Sequence, residues 1–106
     1  MADDERRALR RAADLLEEIA SRTTGGHWQL GGLLASRPEV IAHYPDGSTE
    51  HVADARSGTA RWIAALSPAL APALVTWLRA GARAERVDAA AVAVARELLR
   101  SRHDED

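Results

Sequence analysis

Histidine and carboxylate side chains flank a predicted turn, and they are the residues of this sequence best suited to chemistry. His43 precedes and His51 follows the turn residues 45–48, and Glu50 and Asp54 lie close to the second histidine. Imidazole and carboxylate groups are ligands that zinc accepts, so this set could hold a divalent metal. It lacks a third well-placed ligand and any fixed-spacing motif. We therefore interpret it as the polar outer face of a hairpin and expect no metal and no cofactor.

The register of this hairpin decides where the two histidines lie. A loop of residues 46–48 pairs Ala42 with Val52 on the core side, and it pairs His43 with His51 on the other side. A two-residue loop would bury His51 and expose Val52, so burial favours the first register. Two facing imidazoles repel each other when both are protonated, so we expect acidification to weaken the hairpin or whatever binds it.

Reaction chemistry is otherwise hard to find in this chain. The sequence contains no cysteine, which excludes disulfides, thiolate zinc sites and thiol catalysis. It also lacks a nucleophile elbow, a phosphate loop, a dinucleotide fingerprint and a zinc-protease motif. Asp14, Glu17 and Glu18 fall on the solvated side of a predicted helix, where paired carboxylates usually serve solubility. We expect no enzymatic activity, with a small metal-dependent enzyme as an alternative.

An arginine cluster near the N-terminus raises the question of nucleic acid. Its members are Arg6, Arg7, Arg10 and Arg11. All basic residues of the chain are arginine, yet the formal net charge is −2, and nucleic-acid-binding domains usually carry a basic excess. Pairs between these arginines and nearby acids such as Asp4 and Asp14 explain the cluster as a solvated helix face. Weak nucleic-acid binding stays open as an alternative.

The elements that position these residues follow from hydrophobic periodicity. A helix is predicted over residues 3–24, ended by Gly25-Gly26, with apolar residues at three-four spacing. Period-two alternation predicts a strand over residues 28–34, and extended segments follow over 39–44 and 49–53. Small residues over much of the last predicted helix, 85–102, suit close contact with other helices of the chain or with a second copy. A homodimer through this helix is therefore an option.

Two further helices are predicted between the strands and the last helix. Thr59 is expected to cap a short helix through Leu66, with Trp62 and Ile63 on its apolar face. Ser67-Pro68 then begins a helix that ends near Gly81. We expect the last helix to bury a set of apolar residues made up of Val87, Ala91, Val94, Leu98 and Leu99.

Two short motifs resemble the Ead-like accessory proteins of lambdoid phages, prophages and actinobacterial relatives. That family has Thr-Pro-Gly-Pro-Trp where this chain has residues 24–28, which keep Gly26 and Trp28. It also has Asn/Asp-Ala-x-aromatic-Ile-Ala followed by proline. Here that motif spans residues 59–64, with Thr59, Trp62 and Ile63, and is followed by Pro68. The resemblance implies a mobile-element origin and no assigned activity, and the motif residues suit helix capping and packing.

The whole pattern predicts an α+β fold, in which a three-stranded antiparallel meander packs against an N-terminal helix and two to three C-terminal helices. Residues 1–102 are expected to form one domain with Trp28, Trp62 and Trp77 near the sheet–helix junction, and residues 103–106 an acidic frayed tail. We find no signal peptide or membrane span, and expect a cytoplasmic protein. The predicted function is an accessory module that binds a protein partner through the exposed strand edge and the outer hairpin face, with Arg37, His43 and His51.

Overall fold

A computed structural model describes residues 2–31 and 38–101, apart from the side chain of Ser57. The helices are α1 (Ala2–Ser21), α2 (Ser57–Ala65), α3 (Ala71–Arg83) and α4 (Ala89–Ser101), and a 3₁₀ turn (Pro68–Leu70) precedes α3. The strands are β1 (His27–Gly31), β2 (Glu39–His43) and β3 (Thr49–Asp54), which form one antiparallel sheet in the order β1-β2-β3. The predicted α+β class, with an N-terminal helix, a meander and C-terminal helices, is confirmed.

The chain divides into two compact units. One unit contains α1, α3 and α4, and the other contains the sheet, α2 and the 3₁₀ turn. The single domain predicted over residues 1–102 stays a prediction.

The core of the helical unit is small-residue packing around a few leucines and valines. Its buried members come from all three helices: Leu9, Ala12, Ala13, Val75, Leu78, Ala82, Ala91, Val92 and Ala95. Alanine lets helix axes approach closely; Ala91 and Ala95 of α4 belong to this core, whereas Ala89, Ala90 and Ala93 are exposed, and the homodimer through α4 stays a prediction. Val94, which we expected to be buried, is exposed, because α4 turns Val92 into the core instead.

Helix ends differ from the predicted ones where local hydrogen bonds override periodicity. α1 ends at Ser21, three residues before the predicted end, and the left-handed residue is Gly26 with φ +76°. α4 begins at Ala89 instead of Glu85, because the Asp88 carboxylate accepts a hydrogen bond from the Ala90 amide at 3.2 Å. An aspartate in this position caps a helix by pairing one of its free amides.

In the sheet unit, α2 packs on the face of the sheet that carries Val40 and Ala42. Both residues are fully buried, and α2 contributes the fully buried Ala60. Trp28 lies on the same face by register, opposite Ala42. Its indole Nε1 donates to the Thr24 carbonyl at 3.2 Å and the Gly25 carbonyl at 3.1 Å, which ties β1 to the turn before it.

Candidate functional site

The outer face of the sheet is the face opposite α2, and it carries most of the chemistry-bearing residues. By register and alternation its members are His27, Gln29, Gly31, Glu39, Ile41, His43, Thr49, His51 and Asp54. All except Gly31, Glu39 and Ile41 are exposed. We call this set the outer sheet face.

The predicted pairing of His43 with His51 is wrong. His43 pairs with Thr49, and His51 pairs with Ile41. The loop closes one position earlier than expected, because the Tyr44 amide donates to the Ser48 carbonyl at 3.0 Å. The carboxylate of Asp46 holds Ser48 in this place, since its Oδ1 accepts from the Ser48 amide at 2.9 Å and the Ser48 hydroxyl at 2.6 Å. The histidine that faces His43 is His27 on β1.

A β-bulge in β3 changes the pairing of β3 with β2 beyond Ile41. Val40 pairs with Ala53 while Ile41 pairs with His51, which leaves Val52 as an extra residue. In a regular strand, residues three apart point to opposite faces. The extra residue shifts that alternation by one, so His51 and Asp54 come to the same face of the sheet.

The bulge assembles a cluster of one histidine and two carboxylates, which we call the Glu39–His51–Asp54 cluster. His51 Nδ1 lies 2.7 Å from Glu39 Oε2, and His51 Nε2 lies 3.8 Å from Asp54 Oδ1. One ligand atom from each residue lies within 4.8 Å of the other two. The sequence pattern places His51 and Asp54 in one candidate set, and the pairing of β2 with β3 adds Glu39, which has no signal in the sequence around the turn.

Glu50, the other carboxylate considered with His51, belongs to a different contact. It lies on the α2 side of the sheet by register, opposite Ala42. The Tyr44 hydroxyl donates to Glu50 Oε1 at 2.8 Å, and this hydrogen bond raises the pKa of Tyr44 above 10.0. A Cβ on Gly26 would lie only 2.9 Å from the His43 carbonyl and 3.3 Å from the Tyr44 ring, so glycine is required at this approach.

The second motif of the predicted resemblance is arranged differently from our expectation. α2 begins at Ser57 with Arg56 in the capping position and no side-chain cap, so Thr59 is not a cap. Trp62 is 68% exposed, whereas Ile63 is half-buried. Trp77 is 41% exposed and Trp28 is partly buried, and the predicted place of the three tryptophans near the sheet–helix junction stays a prediction. Pro68 begins the 3₁₀ turn, close to its predicted place.

Trp62 shares an exposed face of α2 with Leu66, one helical turn further along. Leu66 is 50% exposed and lies just after the last residue of α2. Residues four apart lie on the same side of a helix. Arg56 and Arg61 are also exposed and close to Trp62 in the sequence. We call these four residues the α2 face.

The N-terminal arginines divide into structural and exposed members. Arg6 donates to the carbonyls of Ala82 at 2.9 Å, Ala84 at 2.6 Å and Glu85 at 3.3 Å, so it caps the C-terminal end of α3. Arg7 lies 3.8 Å from Asp4 on the surface. Arg10 and Arg11 are exposed.

Asp14 and Glu17, which we expected to serve solubility, bind Arg79 of α3. Arg79 Nη2 lies 3.0 Å from Asp14 and 3.2 Å from Glu17. The hydrogen bonds that Arg79 donates to Glu17 and then to Asp14 raise the pKa of Arg79 above its usual range. This contact links α1 to α3, so the two acids are structural.

Arg37, one of the predicted contact residues, lies outside the described residues.

One stretch, Gly58–Arg83, is long and apolar enough to cross a membrane by length and composition, although only 22% of its most apolar window is buried. The break between α2 and the 3₁₀ turn divides this stretch into helices of 9 and 13 residues, and a span needs about 20. It is therefore weak evidence for a membrane helix.

No protein-family model, no curated protein and no solved structure matches this chain.

Proposed function

We propose that this protein is a small non-enzymatic accessory module that recognises a protein partner through the α2 face. The observation that carries the proposal is the exposure of Trp62, at 68% of its surface. Tryptophan is rarely left this open to water, and it is among the residues most enriched in the energetic centres of protein interfaces.

Trp62 and Leu66 together offer an apolar anchor of the size that a partner pocket can cover. Ala60 is buried where α2 packs on the sheet, so the α2 backbone is held in place while Trp62 stays exposed. A rigid helix that presents an aromatic residue loses little conformational entropy on binding. This arrangement supports helix-in-groove recognition.

The positive charge of this part of the sequence favours a partner whose binding pocket is bordered by acidic residues. Residues 55–84 contain four arginines and no aspartate or glutamate, although the chain as a whole has net charge −2. Two of these arginines, Arg56 and Arg61, are exposed and close to Trp62 in the sequence. An apolar pocket bordered by carboxylates would match this surface in both polarity and charge.

The predicted contact at the strand edge and outer hairpin, with His43, His51 and Arg37, stays a prediction beside this one. So does the mobile-element origin that the resemblance to Ead-like proteins implies. A cytoplasmic location also remains a prediction.

Capture with a matched control tests the proposal. Tagged wild-type protein, Trp62→Ala and Trp77→Ala would be used to capture partners from the native host, and enriched proteins identified by mass spectrometry. We expect one protein that wild type and Trp77→Ala retain and Trp62→Ala loses. With the purified partner, Trp62→Ala should weaken binding about thirtyfold or more, the effect of a hot-spot residue.

Circular dichroism would verify that Trp62→Ala keeps its helix content. Equal capture by Trp62→Ala and wild type would overturn the assignment of the α2 face. Retention on DNA that disappears on salt addition, or binding to vesicles of anionic lipid with no protein captured, would replace a protein partner by nucleic acid or membrane.

A further inference from the structure

We propose that the Glu39–His51–Asp54 cluster binds a divalent transition-metal ion, with Zn²⁺ the best match. The three residues combine one imidazole nitrogen with two carboxylate oxygens from adjacent strands of a hydrogen-bonded sheet. Three protein ligands of this kind leave the remaining coordination positions open to water or to another ligand.

The spacing of the donors is close to what a metal requires. Zn²⁺ binds nitrogen and carboxylate oxygen at about 2.0–2.2 Å, which places its donors roughly 3–3.5 Å apart. The 2.7 Å contact of Glu39 is to His51 Nδ1 and the 3.8 Å contact of Asp54 is to His51 Nε2, and one metal ion binds only one of these ring nitrogens. One donor atom from each residue lies within 4.8 Å of the other two, so a metal would need the donor spacings to change by up to roughly 1.5 Å, which side-chain rotation can provide.

Unequal exposure of the ligands favours this adjustment. The Glu39 side chain is 31% exposed and starts from a fixed place in β2, whereas the Asp54 side chain is 78% exposed at the end of β3. Glu39 and His51 are therefore already together, and Asp54 can turn inward with little loss of packing. A partly preformed site of this kind lowers the entropy cost of binding.

Electrostatics supplies an independent reason for a cation at this place. Glu39 and Asp54 are direct cross-strand partners, and like charges directly opposite each other destabilise a sheet. A neutral imidazole leaves both negative charges uncompensated, and the neutral ring is the form that binds a metal. A divalent ion cancels both carboxylate charges and joins β2 to β3.

The donor set decides the class of metal. The imidazole disfavours Ca²⁺ and Mg²⁺, which prefer oxygen ligands only. Because the chain has no cysteine, soft thiolate sites are excluded, and imidazole with carboxylate suits Zn²⁺, Co²⁺, Ni²⁺ or Mn²⁺. The cluster lies on the outer sheet face, so this inference does not depend on the α2 face.

Cobalt titration of the full-length, untagged chain tests the site. Co²⁺ reports its ligands by visible absorption, and Zn²⁺ would then be added to displace it. We expect saturable binding of one Co²⁺ per chain to the wild type and full displacement by Zn²⁺. His51→Ala should abolish the absorption bands, and Glu39→Gln and Asp54→Asn should each weaken Zn²⁺ binding by at least about tenfold, because each removes a charged ligand.

The chain offers matched controls for the histidine and glutamate changes. His43→Ala removes an exposed histidine of the same outer sheet face, and Glu50→Gln removes a carboxylate on the other face; both should bind as wild type does. His103→Ala tests a further histidine, near the end of the sequence. Absence of saturable binding to wild type, or binding that survives His51→Ala, would overturn the proposal, with far-UV circular dichroism confirming that His51→Ala is folded.

Discussion

Asp46 shows how one side chain sets the geometry of the β2–β3 hairpin. Its carboxylate accepts hydrogen bonds from the hydroxyl and the amide of Ser48, and these bonds lower its pKa below 3.8, with the hydroxyl bond the larger cause. This bonding pattern defines where the loop ends. The register of every residue in β3 before the bulge follows from it.

The lowered pKa of Asp46 gives a prediction for the acid range. Because the folded-state value lies below the unfolded one, the carboxylate contributes stability that is complete above pH 3.8 and disappears as the pH falls through the folded value. We expect Ser48→Ala to move the Asp46 titration midpoint upward toward 3.8 in an NMR titration of the carboxyl carbon.

Ser101→Ala is the control for that titration, because the Ser101 hydroxyl donates to Leu98 in α4 and not to the hairpin. It should leave the Asp46 midpoint unchanged. A midpoint in Ser48→Ala equal to that of the wild type would contradict the role given to the hydroxyl.

For single residues, the sequence indicates which side chains could bind a metal or take part in chemistry, but it does not indicate which of them lie in contact. The turn pattern predicts that His51 and Asp54 lie near each other, whereas Glu39 joins them only because β2 pairs with β3. The Asp-x-Ser spacing in the turn is a local signal for the observed loop, and it was the information that could have corrected the register. The apolar pattern predicts Trp62 on the packed face of α2, but Ala60, Ile63 and Ala64 form the buried and half-buried side of this helix of nine residues, and Trp62 is exposed.

Among the elements, helix caps decide boundaries that periodicity cannot. Hydrophobic spacing located all four helices and the three strands, because burial imposes its period on a sequence. It misplaced the start of α4, since Val87 continues the apolar pattern beyond the helix that Asp88 begins. It also assigned a cap to Thr59, which lies inside the first turn of α2.

Capping energies test these boundaries directly. We expect Asp88→Ala to lower the free energy of unfolding by about 0.5–2 kcal/mol, because it leaves the Ala90 amide without its partner. Thr59→Ala should change it by less than about 0.5 kcal/mol, as for other exposed surface substitutions. Urea unfolding of the two variants beside wild type measures both values, and a larger loss for Thr59→Ala than for Asp88→Ala would contradict the assigned boundaries.

For the whole molecule, an alanine-rich core means that a few large side chains carry much of the stability. Leu9, Leu78 and Val40 are the largest fully buried side chains among the described residues. Leu78 lies among the buried residues of the helical unit, so its removal would leave a cavity that small neighbours cannot fill. The charges are also unevenly distributed, because all acidic residues lie outside residues 55–84.

Two apolar truncations distinguish this core from the surface. Leu78→Ala should lower the free energy of unfolding by about 2–5 kcal/mol, the range for deleting a buried leucine side chain. Val94→Ala should cost less than about 1 kcal/mol, because Val94 is exposed and alanine favours helix. Thermal and chemical unfolding of both variants would check the difference, and equal losses would show that α4 packs on the face that includes Val94.

The bulge at Val52 also affects how readily β3 could pair with a strand of another molecule. β3 is an edge strand, and edges with regular rows of free amides and carbonyls invite a strand from another molecule. An extra residue breaks that regular row, and the ionisable side chains of Glu50, His51 and Asp54 add a cost to any chain that would stack against it. The same irregularity that gathers the Glu39–His51–Asp54 cluster therefore protects this edge against fibril growth at high concentration.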